Sequence, residues 1–405
     1  MNVNDIRPAP QQAAWQDLEF GAVLHYGLHT FLGQEWADGS ADPSVFQPSD
    51  LNAEQWVTTA KAAGARYVIL NARNQDGFCL WPSKHSAYTV KATPWRNGQG
   101  DLVREVANAC RKHDLKFGLS LPADAKTPEA QHRLQLEELA STYGDLVEFW
   151  ADGASAADVN LLRQHQPNAL LFGGLRPDIR RLPGDGGVAP EENWHANGAQ
   201  WLPAAAVVPL REKHWFWHPN AEPRVMAGDK LLDLYHRTVG HGYQLVLGLA
   251  PDRRGLIADA DLQTLRAFGD QVKRMYGQNL IPLASPWAVE GGPSPRGALD
   301  SDPKTFWMAH PDRRTASINL VYKTPVTFDR VVLMEWLNDG QKIYRYQIEA
   351  KYKGKWSKLL EGTTVGHKRI DRVPIQTASE FRLTVDTMSG PPALREFQIH
   401  NGGGL

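Results

Sequence analysis

Acidic, histidine and tryptophan side chains stand at the ends of short apolar runs along the first two thirds of the chain. These positions are His25 and Tyr26, Asn71 to Asp76, Asp124, Trp150 and Asp152, Arg176 and Asp178, Trp194 and His195, and Trp217 and His218. They show no metal-ligand spacing and no glycine-rich phosphate loop, so we expect no metal. Carboxylates among tryptophans and histidines suit hydrolysis of a glycosidic bond, which two carboxyl groups flank. Each residue alone is equally compatible with a structural cap.

The apolar runs before these residues have the length and composition of β-strands. We predict eight strands, at 20–27, 65–72, 115–121, 146–152, 169–174, 192–198, 214–218 and 243–250. Helical periodicity lies between most of them, at 53–64, 102–113, 129–144 and 230–242. Such an alternation predicts a (β/α)8 barrel of the TIM type, whose active site lies at the carboxyl ends of its strands. A doubly wound sheet, the alternative, predicts an early G-x-G-x-x-G turn that the sequence lacks.

The pattern changes near Leu280. Short alternating runs, typical of an all-β sandwich, follow at 316–322, 329–336, 345–352 and 380–385. The chain has 405 residues, and a single core usually stops growing at roughly 250–300 residues. We therefore predict a barrel domain at 1–278 and a β-sandwich domain at 279–405.

The charge balance argues against two classes of partner. Lys and Arg number 44 against 45 Asp and Glu, for a net charge of -1, so we expect no nucleic acid and no membrane. Cys79 and Cys110 are too few for a disulfide framework and lack metal-ligand spacing. The first ten residues lack the pattern of a signal peptide. We expect a cytoplasmic protein as the sequence is written, or a periplasmic or secreted one if a leader has been removed. The oligomeric state is left open.

Several segments resemble the α-L-fucosidases of glycoside hydrolase family 29. They are WQDLEFGAVLHYGLHTFLGQEW (15–36), DGFCLWPSKHS (76–86), PWRNGQGDLVREV (94–106), LEELASTYGDLVEFWADG (136–153) and PDRRGLI (251–257). The segment EWADGSADPSVFQPSDLNAEQW (35–56) resembles the branch selective for α-1,3/1,4-linked fucose. ALDSDPKTFW (298–307), together with 320–336 and 361–370, resembles the galactose-binding-type sandwich that commonly follows this barrel. The resemblance implies a jelly-roll sandwich after the barrel.

The resemblance also implies which carboxylates act. Asp152 in EFWADG matches the nucleophile, which attacks the anomeric carbon and forms a covalent glycosyl-enzyme intermediate. The acid/base of this branch is a glutamate in a loop after the fifth strand, and the register puts Asp185 there. Because Asp185 is one methylene shorter than glutamate, Glu191 and Glu192 remain alternatives for the proton donor.

Other matching positions are expected to bind the sugar. His25 corresponds to the fucose-binding histidine of the family, and Glu35 and Trp36 match its Glu-Trp pair. Trp217, with Phe216, stands where an aromatic residue lines the C6-methyl side of fucose.

Two positions depart from the family pattern. Asn74 and Gln75 stand where the family usually has two adjacent histidines that bind fucose hydroxyls. Amides keep donors and acceptors but change the reach of the side chain. The pocket is therefore predicted either to bind fucose through these amides or to prefer another sugar.

These observations predict an exo-acting retaining α-L-fucosidase that acts on fucosylated oligosaccharides or glycans and needs no cofactor. Two alternatives stay open. One is a retaining hydrolase for a different sugar, suggested by Asn74 and Gln75. The other is a catalytically weakened carbohydrate-binding protein, against which the presence of Asp152 argues.

Overall fold

Eight parallel strands form the N-terminal part of the fold. The structure, a computed structural model, describes residues 6–124, 126–184, 186–193, 200–219, 224–288 and 292–403. The strands are β1 Phe20–Leu24, β2 Tyr67–Asn71, β3 Lys116–Ser120, β4 Glu148–Trp150, β5 Leu170–Phe172, β6 Arg180–Arg181, β7 Ala204–Pro209 and β8 Gln244–Leu249. Their order is β5-β4-β3-β2-β1-β8-β7-β6, and a parallel bridge between Phe172 and Ile179 joins the two ends. The chain therefore folds into the (β/α)8 barrel that its sequence predicts.

Helices surround this sheet. They are α1 Pro10–Gln16, α2 Leu28–Leu32, α3 Ala53–Ala62, α4 Leu102–Lys112, α5 Glu129–Thr142, α6 Ala156–His165, α7 Gly228–Thr238 and α8 Asp259–Tyr276. Side-chain caps fix where some of them begin: the Asn52 side chain accepts from the Gln55 amide at the start of α3, and Asp101 caps α4 in the same way. The apolar faces of α3 to α8 pack on the sheet from outside and form the larger of the two main cores.

A second apolar cluster fills the inside of the barrel. Trp15 of α1, Tyr67, Trp150 and Phe172 belong to it, and Trp150 stacks on Phe172 with 4.4 Å between the ring centroids. Glu148 lies fully buried among them and accepts hydrogen bonds from the indole nitrogens of Trp15 and Trp150, at 2.5 and 2.6 Å. Burial raises the pKa of Glu148 to about 7. The interior is therefore a packed core, as in other barrels of this type.

Two of the predicted strands are corrected by the structure. Residues 214–218 form an irregular loop, and the seventh strand is Ala204–Pro209. Its sequence, AAAVVP, is a weak strand signal because alanine favours helices, yet small side chains fit the crowded interior. The sixth strand is Arg180–Arg181, whereas most of the predicted segment 192–198 lies outside the described residues and Glu192 and Asn193 are not in a strand.

The C-terminal part is a β-sandwich with its own core. Its strands are β9 Ala284–Ala288, β10 Trp307–Met308, β11 Thr315–Glu335, β12 Ile343–Tyr352, β13 Lys355–Gly362, β14 Arg369–Thr387 and β15 Ala393–His400. All of them pair in antiparallel fashion. The pairing of the long strands β11 and β14 shifts register between Val321 and Val326. Both strands therefore bend there, and their residues pack into one core. The change from helices to antiparallel strands falls between the end of α8 and the start of β9.

Charged contacts tie the sandwich to the barrel. The Lys368 ammonium lies 2.8 Å from Glu19, and the Arg395 guanidinium lies 2.5 Å from Asp17. Although burial alone would raise the pKa of Glu19, Lys368 and His367 outweigh it and hold that pKa far below its usual value. Within the described ranges, no helix is long and apolar enough to cross a membrane.

Candidate active site

A cavity of about 240 Å³ opens at the carboxyl end of the barrel. Most of its wall comes from residues at or just after strand ends, and the rest comes from the loops after β1 and β7. The lining residues are His25, His29, Glu35, Trp36, Asn71, Asn74, Gln75, Ser120, Pro122, Trp150, Asp152, Arg181, Val207, Trp215 and Phe216. Larger hollows elsewhere on the surface lack this combination of carboxylates, imidazoles and indoles.

Asp152 stands two residues after β4, at the edge of the barrel interior. Its carbonyl accepts from the Ala123 amide at 2.9 Å, which continues the pairing of β3 with β4 and fixes the backbone. Gly173 lies against its carboxylate, since a β-carbon built at Gly173 would come within 2.4 Å of Asp152 Oδ1. Gly173 also has a φ of 68°, so only glycine fits there without strain.

The charge state of Asp152 depends on two opposing effects. The surrounding walls remove water from the carboxylate and raise its pKa, although part of the residue stays open to the cavity. Arg181, at the end of β6, acts in the opposite direction and lowers that pKa. Its guanidinium also lies 5.6 Å from the centre of the Trp215 ring. Arg181 therefore favours the ionised form that a nucleophile needs.

His25 follows β1 directly and is held by the barrel. Its amide donates to the Leu249 carbonyl at 3.0 Å, and its ring lies 5.0 Å from Trp215 and 5.7 Å from Phe216. Burial lowers the pKa of His25 to about 4, although Glu35 opposes this. The imidazole is therefore neutral near pH 7.

Glu35 connects the loop after β1 with the loop after β7. It accepts from the amides of Trp215 and Phe216, at 2.9 and 3.2 Å, and contacts His218 Nε2 at 2.5 Å and His214 Nδ1 at 3.2 Å. Burial raises the pKa of Glu35, but these hydrogen bonds outweigh it and hold that pKa below its usual value.

The side chains of Glu35, His214 and His218 have a geometry that can hold a metal ion. One ligand atom each of Glu35, His214 and His218 lies within 4.8 Å of the others. The hydrogen bonds already engage both oxygens of Glu35. Trp36, the next residue, stands at the rim of the cavity with 72% of its surface exposed.

The side-chain amide of Asn74 forms hydrogen bonds within the protein. Its Nδ2 donates to the Tyr26 carbonyl at 2.9 Å, and its Oδ1 accepts from Asn71 at 2.5 Å. Gln75 is exposed at the cavity edge. Asn74 therefore lines the cavity with its amide oxygen and its amide nitrogen both hydrogen-bonded to the protein.

Comparison with known proteins shows the family of the chain. The family model described as "Alpha-L-fucosidase" matches residues 1–277. The chain belongs to the α-L-fucosidases, glycoside hydrolase family 29. A relative is "Alpha-L-fucosidase 1" of Arabidopsis thaliana, 32% identical over 96% of this chain and 86% of its own length. Another, "Putative alpha-L-fucosidase 1" of Oryza sativa subsp. japonica, is 31% identical over 97% of this chain and 84% of its own.

Solved structures of the α-L-fucosidase family share the whole architecture. A Ruminococcus gnavus GH29 fucosidase in complex with fucose superimposes with a TM-score of 0.89 at 27% identity, covering 98% of this chain and 95% of that one. A glycoside hydrolase 29 family member from an unknown rumen bacterium gives a TM-score of 0.85 at 29% identity, covering 99% and 78%. The likeness therefore extends over the barrel and the sandwich of this fucosidase-family chain.

Not every predicted site residue comes together in this α-L-fucosidase fold. Asp152, His25, Glu35, Trp36, Asn74 and Gln75 line one cavity. Asp185 lies outside the described residues. Glu191 is exposed and does not line the cavity, and its carbonyl accepts from Arg369 of the sandwich at 2.9 Å. Trp217 lines a separate hollow beside Arg253, whose guanidinium lies 6.0 Å from the indole centre.

The structure adds lining residues that the sequence interpretation did not select. Arg181, His29 and Trp215 are three of them. His29 follows His25 by four residues, and a second histidine so close to a strand-end histidine is the signal that could have found it. Trp215 stands in the run HWFWH, whose aromatic character was interpreted as a strand.

Proposed function

We propose that the chain is an exo-acting, retaining α-L-fucosidase that releases terminal fucose, α-1,3- or α-1,4-linked, from oligosaccharides or glycoconjugates. The observation that carries the proposal is Asp152, a carboxylate beside a small cavity closed from below by the packed barrel interior. A cavity that opens at one end admits the terminus of a glycan. The fucose in the Ruminococcus gnavus complex supports the choice of sugar.

The first step forms a bond between Asp152 and the anomeric carbon. The Asp152 carboxylate attacks that carbon as the glycosidic bond breaks, and a second carboxyl group gives its proton to the departing oxygen. The products are the free aglycone and a fucosyl ester of Asp152. Arg181 supports this step by keeping Asp152 ionised.

The second step returns Asp152 to its starting state. The second carboxylate, now unprotonated, takes a proton from water as the water oxygen attacks the anomeric carbon. The ester bond to Asp152 breaks, and fucose leaves with the configuration of the substrate. No cofactor takes part in either step.

Asp185 is our candidate for the second carboxyl group. It lies four residues along the chain after Arg181, which lines the cavity. Glu191 is the less favoured candidate because its backbone is bonded to Arg369 in the sandwich. We further propose that His25, Glu35, Trp36 and Gln75 contact the sugar, since all four line the cavity.

Two substrates with different leaving groups test these roles. With 2,4-dinitrophenyl α-L-fucoside, whose leaving group needs no proton, Asp185→Asn should form the ester at close to the wild-type rate, whereas Asp152→Ala should be inactive. With an α-1,3-fucosylated oligosaccharide, both variants should lose activity. If Glu191→Gln loses activity on the oligosaccharide but still forms the ester from the dinitrophenyl fucoside, and Asp185→Asn does not show this pattern, the acid/base is Glu191. Full activity of Asp152→Ala would refute the mechanism.

A hydrolase for a different sugar is the second candidate. The observation in its favour is that Asn74, at a position expected to bind a hydroxyl, is bonded to Tyr26 and Asn71 instead. A site that leaves one hydroxyl without a partner discriminates differently among sugars. A panel of nitrophenyl glycosides decides, because release from another glycoside but not from α-L-fucoside would replace fucose as the substrate.

A further inference from the structure

His29 is a second imidazole in the wall of the same cavity. It lies in the first turn of α2, immediately after the loop that follows β1. Its ring packs parallel to Phe216, with the centroids 4.4 Å apart and an angle of 12° between the planes. Because Phe216 is itself anchored to Glu35 through its amide, this stack fixes the plane of the imidazole.

Asp76 lies beside one of the two ring nitrogens of His29. Its Oδ2 lies 3.4 Å from His29 Nδ1, and both side chains are at most 2% exposed. Its Oδ1 accepts from the Phe78 amide at 3.0 Å, which holds the carboxylate in place. A carboxylate beside Nδ1 favours the tautomer with hydrogen on Nδ1 and leaves a lone pair on Nε2.

The charge states agree with this tautomer. Burial lowers the pKa of His29 to about 4, while Glu35 opposes it. Burial raises the pKa of Asp76 to about 6. Near pH 7 the imidazole is therefore neutral and Asp76 is mainly ionised. His29 Nε2 then is a hydrogen-bond acceptor.

The neighbouring amide of Asn74 is already engaged by the protein at both of its polar atoms. Asn74 Oδ1 is occupied by Asn71, and Asn74 Nδ2 donates to the Tyr26 carbonyl. We propose that His29 Nε2 accepts a hydrogen bond from one ring hydroxyl of the sugar and thereby sets the specificity of the cavity. The ligand class is a terminal α-L-fucoside, and this inference rests on the function proposed above.

A cycle of enzyme and substrate changes tests the contact. The kcat/KM of wild type and His29→Ala is measured on 4-nitrophenyl α-L-fucoside and on its three monodeoxy analogues. One deoxygenation should cost wild type about tenfold or more, as expected for one lost hydrogen bond. On the parent fucoside, the kcat/KM of His29→Ala should be lower than that of wild type by a similar factor. On the analogue that lacks the bonded hydroxyl, His29→Ala should show no further loss of kcat/KM. If all three deoxygenation penalties are the same in both enzymes, the proposal is wrong.

His236→Ala is the matched control. His236 is also a buried histidine, but it contacts Tyr276 and Arg372 near the sandwich and does not line the cavity. It should lower the melting temperature and leave all three deoxygenation penalties at their wild-type values. A change in those penalties in His236→Ala would mean that general loosening alters the pattern, and the assignment to His29 would fall.

A binding measurement separates this inference from the proposed function. Calorimetric titration with L-fucose compares Asp152→Ala with Asp152→Ala/His29→Ala, so no turnover is needed. A loss of affinity of about fivefold or more supports the role of His29 even if wild type hydrolyses no fucoside, in which case only the proposed function fails. Equal affinities would overturn the role of His29. Failure of Asp152→Ala to bind L-fucose would overturn both.

Discussion

The two sides of the cavity are built differently. On the side of β1 to β4, His25, Asn71 and Asp152 lie within two residues of a strand, and the sheet itself fixes their backbones. On the side of β6 and β7, the strands are short or made of small residues, and Trp215 and Phe216 stand in a loop. The first side therefore depends on the barrel for its geometry, whereas the second depends on individual side-chain contacts.

Glu35 is the main such contact. It belongs to the loop after β1, yet it accepts from the amides of Trp215 and Phe216 on the other side. The aromatic residues of the loop after β7 are therefore held by a carboxylate from the loop after β1.

The largest effect is expected for Asp152→Ala. Removal of the nucleophile should lower kcat on α-L-fucosides by on the order of 10⁴-fold or more. The far-ultraviolet circular dichroism should not change, because Asp152 is held through its backbone carbonyl, which alanine keeps. The measurement is single-turnover kinetics beside a thermal melt. A residual rate within tenfold of wild type would assign the nucleophile to another residue.

Gly173→Ala should come next, at about 100-fold in kcat, because a shift of about 1 Å in a catalytic group has such an effect. The new methyl group would come within 2.4 Å of Asp152 Oδ1. Gly354→Ala is the matched control, since Gly354 has a φ of 81° and nothing within 4 Å of the added carbon. Both variants should lose stability, but only Gly173→Ala should lose activity. Equal activities would show that Asp152 moves freely.

Glu35→Ala should release the aromatic wall and raise KM by about tenfold, as expected for lost hydrogen bonds. Because Glu35 is also proposed to touch the sugar, the free enzyme must be measured as well. Its near-ultraviolet circular dichroism should weaken as Trp215 becomes mobile. An unchanged spectrum would show that another contact fixes the loop.

The smallest effect concerns pH. Arg181→Gln removes the charge that lowers the pKa of Asp152, so that pKa should rise and Asp152 should become protonated at higher pH. The acid limb of kcat/KM should therefore move to higher pH than in wild type, while the rate on the plateau changes little. A profile of kcat/KM between pH 3 and 8 measures this shift. An acid limb that stays in place would show that Arg181 does not act on Asp152.

The difference between the two sides also explains what the sequence could predict. Strands β1 to β4 combine apolar runs with a polar residue at the end, so the sequence pattern located both the strand and His25 or Asp152. For β7, the pattern failed because AAAVVP is less apolar than the loop HWFWH that follows it. Aromatic residues that line a cavity look, in sequence alone, like those of a buried strand.

The sequence could not predict the hydrogen-bond partners of individual side chains or the hollows that they line. Asn74 lines the cavity, and its amide is also bonded to Tyr26, which is distant in sequence, and to Asn71, contacts that no spacing rule predicts. Trp217 was expected beside Phe216 in the cavity, yet consecutive residues of an irregular loop point to different hollows. The role of Asp185 stays a prediction.

The closure of the barrel has a consequence for how the enzyme would be inactivated. Strand β5 has three residues and β6 has two, and the bridge between Phe172 and Ile179 spans the join. Strand β8 has six residues paired on both sides. Amide protons of β5 should then exchange with solvent faster than those of β8. Since Asp152 and Gly173 stand beside this join, mild heat or denaturant should abolish turnover before the protein as a whole unfolds.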